Sequence, residues 1–87
     1  MLRQVTLHQM RLFAGLARHM NMTRAAEEAH VTPSAFSIQI KQLSEGLGLP
    51  LHEQAGKRLF LTEAGRAVAA AARDMLERLD VLGMELS

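Results

Sequence analysis

Thr32-Pro33 at one end and Gly48 at the other bracket a stretch that has little choice but to be helical. Threonine is a preferred N-cap. Proline at the first helical position gives up only an N–H that would lack a partner, and its fixed φ already suits the helix. Glycine supplies the left-handed residue that ends it. The spacing predicts a helix from Pro33 to about Leu47, with Phe36, Ile40, Leu43 and Leu47 as its core stripe. At about 100° per residue, Ser34, Ile38, Lys41 and Glu45 lie opposite that stripe, with Ser37 and Gln42 on its borders.

Two shorter helices are expected upstream. Thr6 and Gln9 have capping-box spacing, so a first helix should start there and run to about His19. Leu7, Met10, Phe13, Ala17 and Met20 form its expected buried stripe, with Arg11 and Arg18 toward solvent. Asn21 or Thr23 caps a second helix through about Ala29, whose Ala25, Ala26 and Ala29 allow a neighbouring helix to approach closely. After Pro50 the pattern changes to two short extended pieces, about Leu51 to Glu53 and Leu59 to Leu61. The connection Gln54-Ala55-Gly56-Lys57-Arg58 reads as a hairpin loop. Thr62 then caps a last helix that continues past Leu82, roughly 30 Å long at the standard rise. Val68, Ala72, Met75, Leu79, Leu82 and Leu86 repeat along it at spacings of four and three, an a/d seam that either packs back on the domain or pairs with a second copy, the pairing being the expected reading. The expected fold is mainly α: a winged helix-turn-helix over residues 1–61, with a three-helix core and a short β-hairpin wing, followed by a long linker and dimerisation helix over 62–87.

Composition narrows the function. A chain of 87 residues is one small domain. At that size only about 60–65% of the unfolded surface is buried, and an enclosed catalytic cavity would consume core the fold needs. With no Cys there are no disulfides or thiolate sites, and a reducing, cytoplasmic setting is expected. The longest apolar run, Ala67 to Ala72, is far short of the ~20 residues of a bilayer span, and Arg3 and Arg11 flank no signal-peptide core. No membrane role is expected. His8, His19, His30 and His52 show no metal-ligand spacing and read as structural or surface residues. No catalytic arrangement or phosphate loop stands out, so neither an enzyme nor a cofactor or metal is expected. The net charge of +1 is divided unevenly along the chain. Residues 1–66 carry eight basic and five acidic side chains, a net +3, whereas residues 67–87 carry two and four, a net −2.

Two short helices joined by a turn, the second with a polar face, followed by a hairpin carrying Lys57-Arg58, point to duplex DNA. An α-helix fits the major groove, and a helix N-terminus offers N–H groups to a phosphate. Ile38, exposed among polar neighbours, is either ordinary surface or a contact for a thymine methyl group. Lys57 and Arg58 are expected at phosphates or the minor groove. Phe13, Phe36 and Phe60 fall on core or strand positions, which leaves no stacking platform for unpaired bases and favours duplex over single strand. The competing reading is a winged-helix protein-interaction module without DNA binding; residues 33–58 carry a net charge of only +1.

The run from Leu7 to Gly65, about three quarters of the chain, resembles the N-terminal DNA-binding domain of LysR-type transcriptional regulators. The resemblance rests on Phe13 and Leu16-Ala17, on Thr23-Arg24-Ala25-Ala26, and on Ala35, Ser37, Ile40 and Leu43. It continues through Leu47-Gly48-x-x-Leu51 and Leu61-Thr62-x-Ala64-Gly65. Within the family, Gln39-x-Lys41-Gln42-Leu43 and Gly48-Leu49-Pro50-Leu51-x-Glu53-Gln54-x-Gly56-Lys57 are similar to the regulators of Calvin-cycle carbon-dioxide-fixation operons. It implies that Pro33, Ser34, Ser37 and Ile38 meet the major groove and that Lys57 reaches the minor groove. With Thr23, Arg24, Lys41, Gln42 and Arg58 they make up the expected DNA-binding set, and the partners implied are double-stranded operator DNA and a second copy of the chain. Val68, Ala72, Met75, Leu79 and Leu82 would carry the dimer, with higher oligomers open to an intact protein. A larger effector-binding domain would follow, so the chain reads as a fragment or a truncated paralogue. Four positions depart from the usual pattern: Pro33 stands where Gln is common, Ser44 for Glu, His52 for Phe and Gln54 for Arg.

Overall fold

The computed structural model describes residues 5–87; Arg3, counted above with the basic residues, lies outside them. The elements in chain order are α1 (Leu7–His19), α2 (Met22–Glu28), α3 (Pro33–Leu47), β1 (His52–Ala55), β2 (Arg58–Leu61) and α4 (Glu63–Leu86). The capping box at α1 is formed in full: the Gln9 N–H donates to Thr6 Oγ1, and Gln9 Oε1 accepts from the Thr6 N–H. Asn21 rather than Thr23 caps α2, accepting from the Arg24 N–H at 2.9 Å. Thr32 caps α3 and Thr62 caps α4, each through its hydroxyl.

Phe13, Leu16, Phe36, Ile40, Leu43 and Leu51 are the largest fully buried side chains. Losing one of them costs on the order of 2–5 kcal/mol, so this group fixes how α1, α2 and α3 cross. The expected stripe on α1 was too narrow. Leu7 and Met20 are exposed, while Leu12, Ala14 and Leu16 are buried. The reason is that α1 packs against α2, α3 and α4 at once, leaving mainly the side of Arg11 and Arg18 to solvent. Met20 lies past the last turn as a left-handed C-cap, with φ of 52°. Ala25 and Ala26 are buried in the seat of α2, as their size anticipated. Among the described residues Gln9 is the one buried polar side chain, and its Nε2 donates to Gln39 Oε1 at 3.3 Å, tying the cap of α1 to α3.

The hairpin is tighter than its sequence implies. His52 pairs with Leu61, Glu53 with Phe60, Gln54 with Leu59 and Ala55 with Arg58, leaving a two-residue turn at Gly56-Lys57. Gly56 has φ of +63° and Lys57 does not share that sign, the φ pattern of a type II′ turn, which matches strand twist and wants glycine first. Arg58 therefore belongs to β2 and not to a loop. Leu51 precedes the strands and is a core residue.

Where the chain leaves the hairpin it meets its own entry point. The Thr62 N–H donates to the Leu51 carbonyl at 3.0 Å and the Thr62 hydroxyl to the Pro50 carbonyl at 2.7 Å. Gly65, one turn into α4, lies so close that a Cβ would sit 1.9 Å from the Leu51 carbonyl oxygen.

A helix of 24 residues is about 36 Å long, most of the molecule's 45 Å extent. Its body-facing stripe is Gly65, Ala69 and Ala72, buried, then Leu76, half-buried. This corrects the expected seam: Ala72 is fully covered by the chain's own core and is not free for a second copy. Val68 is also partly packed on that core. Met75, Leu79, Leu82 and Leu86 remain exposed. Among the described residues, no helix is long and apolar enough to cross a membrane.

Two outcomes test these contacts. Gly65→Ala pushes a methyl group into backbone, and a loss of at least about 1–3 kcal/mol is expected in urea unfolding; an unchanged midpoint would show that α4 does not need this approach. At the other end of α1, Glu28 Oε2 accepts from Arg18 and, at 3.0 Å, from His19 Nε2. Hydrogen bonding from Arg18, then from His19, holds the Glu28 carboxyl below the usual carboxylate range. A depressed carboxylate stabilises the fold above its unfolded pKa, and that contribution fades as pH falls through the lowered value. Glu28→Gln should thus be less stable than wild type at pH 7, with the two thermal midpoints converging in acid.

Candidate nucleic-acid interface

The turn between α2 and α3 is short because α2 stops abruptly. The Ala29 N–H bonds back to Ala25, His30 takes the left-handed conformation with φ of 59°, and the Val31 N–H reaches the Ala26 carbonyl at 3.1 Å. Val31 then packs against the core, and Thr32 accepts from the Ala35 N–H at 3.1 Å. This redirects the chain within four residues, so α2 and α3 pack together as a helix-turn-helix. At its far end α3 is closed by Gly48 in the left-handed region, φ of +77°. Ser44, which stands where the family commonly has Glu, takes part in that closure: its hydroxyl donates to the Leu49 carbonyl at 2.6 Å.

The expected contact residues fall on the surface. Pro33, Ser34, Ser37, Ile38, Lys41 and Gln42 are all exposed on α3, and Ile38 retains 55% of its accessible area. Thr23 and Arg24 are exposed in the first turn of α2, and because Asn21 takes the capping role the Thr23 hydroxyl is left unengaged by that helix end. Ser37, Lys41, Ser44 and Glu45 line a shallow depression whose other wall is Pro50, Leu51 and His52, so the exposed face of α3 runs continuously into the base of the wing. Lys57 sits at the tip of the hairpin, about 13 Å from the start of β1 at the usual strand rise.

The cations divide into two groups. Arg18 is engaged with Glu28, and Arg66 donates to the Leu61 carbonyl at 3.2 Å. Among the described residues, Arg24, Lys41, Lys57 and Arg58 enter no ion pair. Arg58 has a different neighbour, since its Cζ lies 5.2 Å from the centroid of the Phe60 ring. Phe60 is on a strand, as expected, but on the outward face with 42% of its area exposed. The alternation Arg58-Leu59-Phe60-Leu61 carried this information, because a period of two puts Arg58 and Phe60 on one face.

Comparison with known proteins agrees with this arrangement. Residues 7–66 match the model of the bacterial regulatory helix-turn-helix proteins of the lysR family. The chain is 50% identical over 86 residues to a RuBisCO operon transcriptional regulator of Acidithiobacillus ferrooxidans, covering 99% of this chain and 28% of the relative. It is 45% identical over 85 residues to a RuBisCO operon transcriptional regulator of Allochromatium vinosum, covering 90% of this chain and 28% of that one. Its fold superposes on the CbnR DNA-binding domain, solved as a DNA complex, with a TM-score of 0.86, 31% identity and 93% coverage of both chains. The chain thus spans under a third of the length of these two regulators. On the match of residues 7–66 to this family model and on these identities, the chain belongs to the LysR family of bacterial regulatory helix-turn-helix proteins.

Proposed function

We propose that this chain is the operator-binding unit of a bacterial transcriptional regulator, acting in the cytoplasm and holding duplex DNA as a homodimer without catalysing a reaction. The observation that carries this reading is the exposed face of α3, which is continuous with the wing and flanked by cations that enter no ion pair among the described residues. Helix α3 enters the major groove, with Ser34, Ser37 and Gln42 toward base edges and phosphates and Ile38 toward a thymine methyl group. Pro33 has no side-chain donor, so this position contributes shape, and the N–H that the helix end leaves for a phosphate is that of Ser34, those of Ala35 and Phe36 being bonded to Thr32. Thr23, Arg24 and Lys41 hold the sugar-phosphate backbone, while Lys57 and Arg58 bring the wing to the adjacent minor groove and the phosphates that border it. The family relatives named for operon regulation, and the DNA complex of the CbnR domain, support the same assignment.

Dimerisation follows from the two stripes of α4. The body-facing stripe ends at Leu76, and the next positions in that direction, Asp80 and Gly83, are polar and small. The outer stripe of Met75, Leu79, Leu82 and Leu86 runs to the end of the helix and is left exposed by the described residues. Near its start lies an apolar groove between α1 and α4, lined by Leu7, Met10, Leu47, Val68 and Met75. A second copy of α4 fills this surface, and two copies place their recognition helices at half-sites one helical turn apart or a multiple of it.

The experiment is a polarisation titration against duplexes selected from a random library, repeated at several salt concentrations. Tight, salt-dependent binding is expected, with Lys57→Ala reducing the salt slope by about one on every sequence. Ile38→Ala should lower affinity for the selected duplex and leave scrambled duplex unaffected. Binding that is undetectable or independent of salt overturns the reading. For the dimer, Leu79→Lys with Leu82→Lys should raise the dissociation constant in sedimentation at least about tenfold while helical circular dichroism is retained; an unaltered dimer would remove α4 from the interface.

A further inference from the structure

We infer that Phe60 is a positioning residue for the wing, its ring holding the Arg58 guanidinium in the pose from which Arg58 meets the DNA backbone; the inference rests on the duplex-binding reading above. Arg58 lies over the Phe60 ring at 5.2 Å, inside the roughly 6 Å range of a cation–π contact. The pairing register puts Arg58, Phe60, Ala55 and Glu53 on one face of the hairpin, with Leu59 and Leu61 turned to the other. Glu53 stands directly across from Phe60 and diagonal to Arg58, within reach of long side chains. Yet among the described residues Arg58 pairs with the ring and not with that carboxylate.

A large aromatic left 42% exposed on a short wing is not needed by the core, because Leu59 and Leu61 already supply the inward contacts. What the ring does is restrict Arg58. A free arginine at a hairpin end must freeze several rotamers on binding, whereas one already laid on a ring has given up part of that freedom during folding. Stacking uses the flat π-face of the guanidinium, and its five N–H donors point outward around the edge. The two contacts therefore draw on different parts of one group, and the ring also keeps the cation from the neighbouring Glu53. Lys57, at the turn, has no such platform. Of the two wing cations, only Arg58 is held on a ring among the described residues.

The test is a double-mutant cycle read by duplex affinity and salt slope. Arg58→Ala should lower the slope by about one. Phe60→Leu, which keeps an apolar strand residue, should weaken binding about two- to fivefold with the slope unchanged. Phe60→Tyr should restore affinity, and Phe60→Leu should have no further effect when combined with Arg58→Ala. Arg58→Lys should keep the slope and reduce the effect of the ring, because an ammonium lacks the flat face that stacks on it. The inference is overturned if Phe60→Leu weakens binding equally with and without Arg58, since the ring would then act on DNA or on the hairpin itself. It is also overturned if Tyr fails to restore affinity, or if Arg58→Ala leaves the slope of a salt-dependent wild type unchanged. A wild type that does not bind duplex at any salt overturns the duplex reading first and this inference with it.

Discussion

The approach of Gly65 to the Leu51 carbonyl is the constraint on which the rest of the molecule depends. Two pieces of backbone lie closer than a Cβ would permit, and the Thr62 bonds to Pro50 and Leu51 hold them there. The hairpin is pinned at both of its ends to a single point, directly after the C-terminus of α3. A two-stranded hairpin by itself is marginal in water, so its orientation comes from this junction and from Leu51 and Leu59 in the core. The same junction starts α4, and α4 is rigid enough to carry that direction along most of the molecule. Two separated segments that look like unrelated sequence blocks, Leu47-Gly48-x-x-Leu51 and Leu61-Thr62-x-Ala64-Gly65, are therefore two halves of one joint.

That joint explains why α4 carries two apolar stripes and not one. Beginning against backbone, the helix can lie on α1 only through small side chains, and Gly65, Ala69 and Ala72 meet that requirement. Leu76 is the last residue of this stripe to find the body. The exposed leucines and Met75 are displaced around the helix axis and continue beyond the body, so they serve a different surface. Stability of the monomer and the proposed pairing of copies are thereby assigned to separate residues of the same helix, and substitutions in one stripe need not disturb the other.

Most of the fold was legible in the sequence because its signals are local. Thr6 with Gln9, Thr32 with Pro33, Gly48 and Thr62 each act through hydrogen bonds or φ angles within a few residues, and each element starts or stops where they indicate. What was not legible depends on several elements meeting. A helical wheel cannot know that α1 is covered from three directions, hence the exposed Leu7 and Met20 and the buried Leu12 and Leu16. Nor does a heptad pattern reveal that Ala72 faces the chain's own core. The left-handed His30 gave no warning, since a non-glycine residue takes φ of 59° here between the Ala29 bond to Ala25 on one side and the Val31 bond to Ala26 on the other. Of the candidate interface, the exposed positions of α3 were readable from periodicity alone, whereas the alternation that sets Arg58 beside Phe60 becomes readable only once the hairpin turns in two residues and not five, which puts Arg58 in β2.

The charge balance shows the same division between local and assembled information. Formal charge over residues 1–66 counts Arg18 and Arg66 as part of a basic surface, but the structure commits Arg18 to Glu28 and Arg66 to a backbone carbonyl. Of the six that remain, Arg24, Lys41, Lys57 and Arg58 belong to the proposed interface, spread over α2, α3 and the wing and not gathered into a patch, while Arg11 is exposed on α1 and Arg3 lies outside the described residues. Dispersed cations suit a long polyanion better than a small anionic ligand, because each can neutralise a different phosphate along the duplex. A net charge of +1 is then no argument against nucleic acid. The quantity that decides is how many cations remain uncommitted after folding, and two copies of this chain would present twice that number to one duplex while the acidic half of each α4 extends past the body.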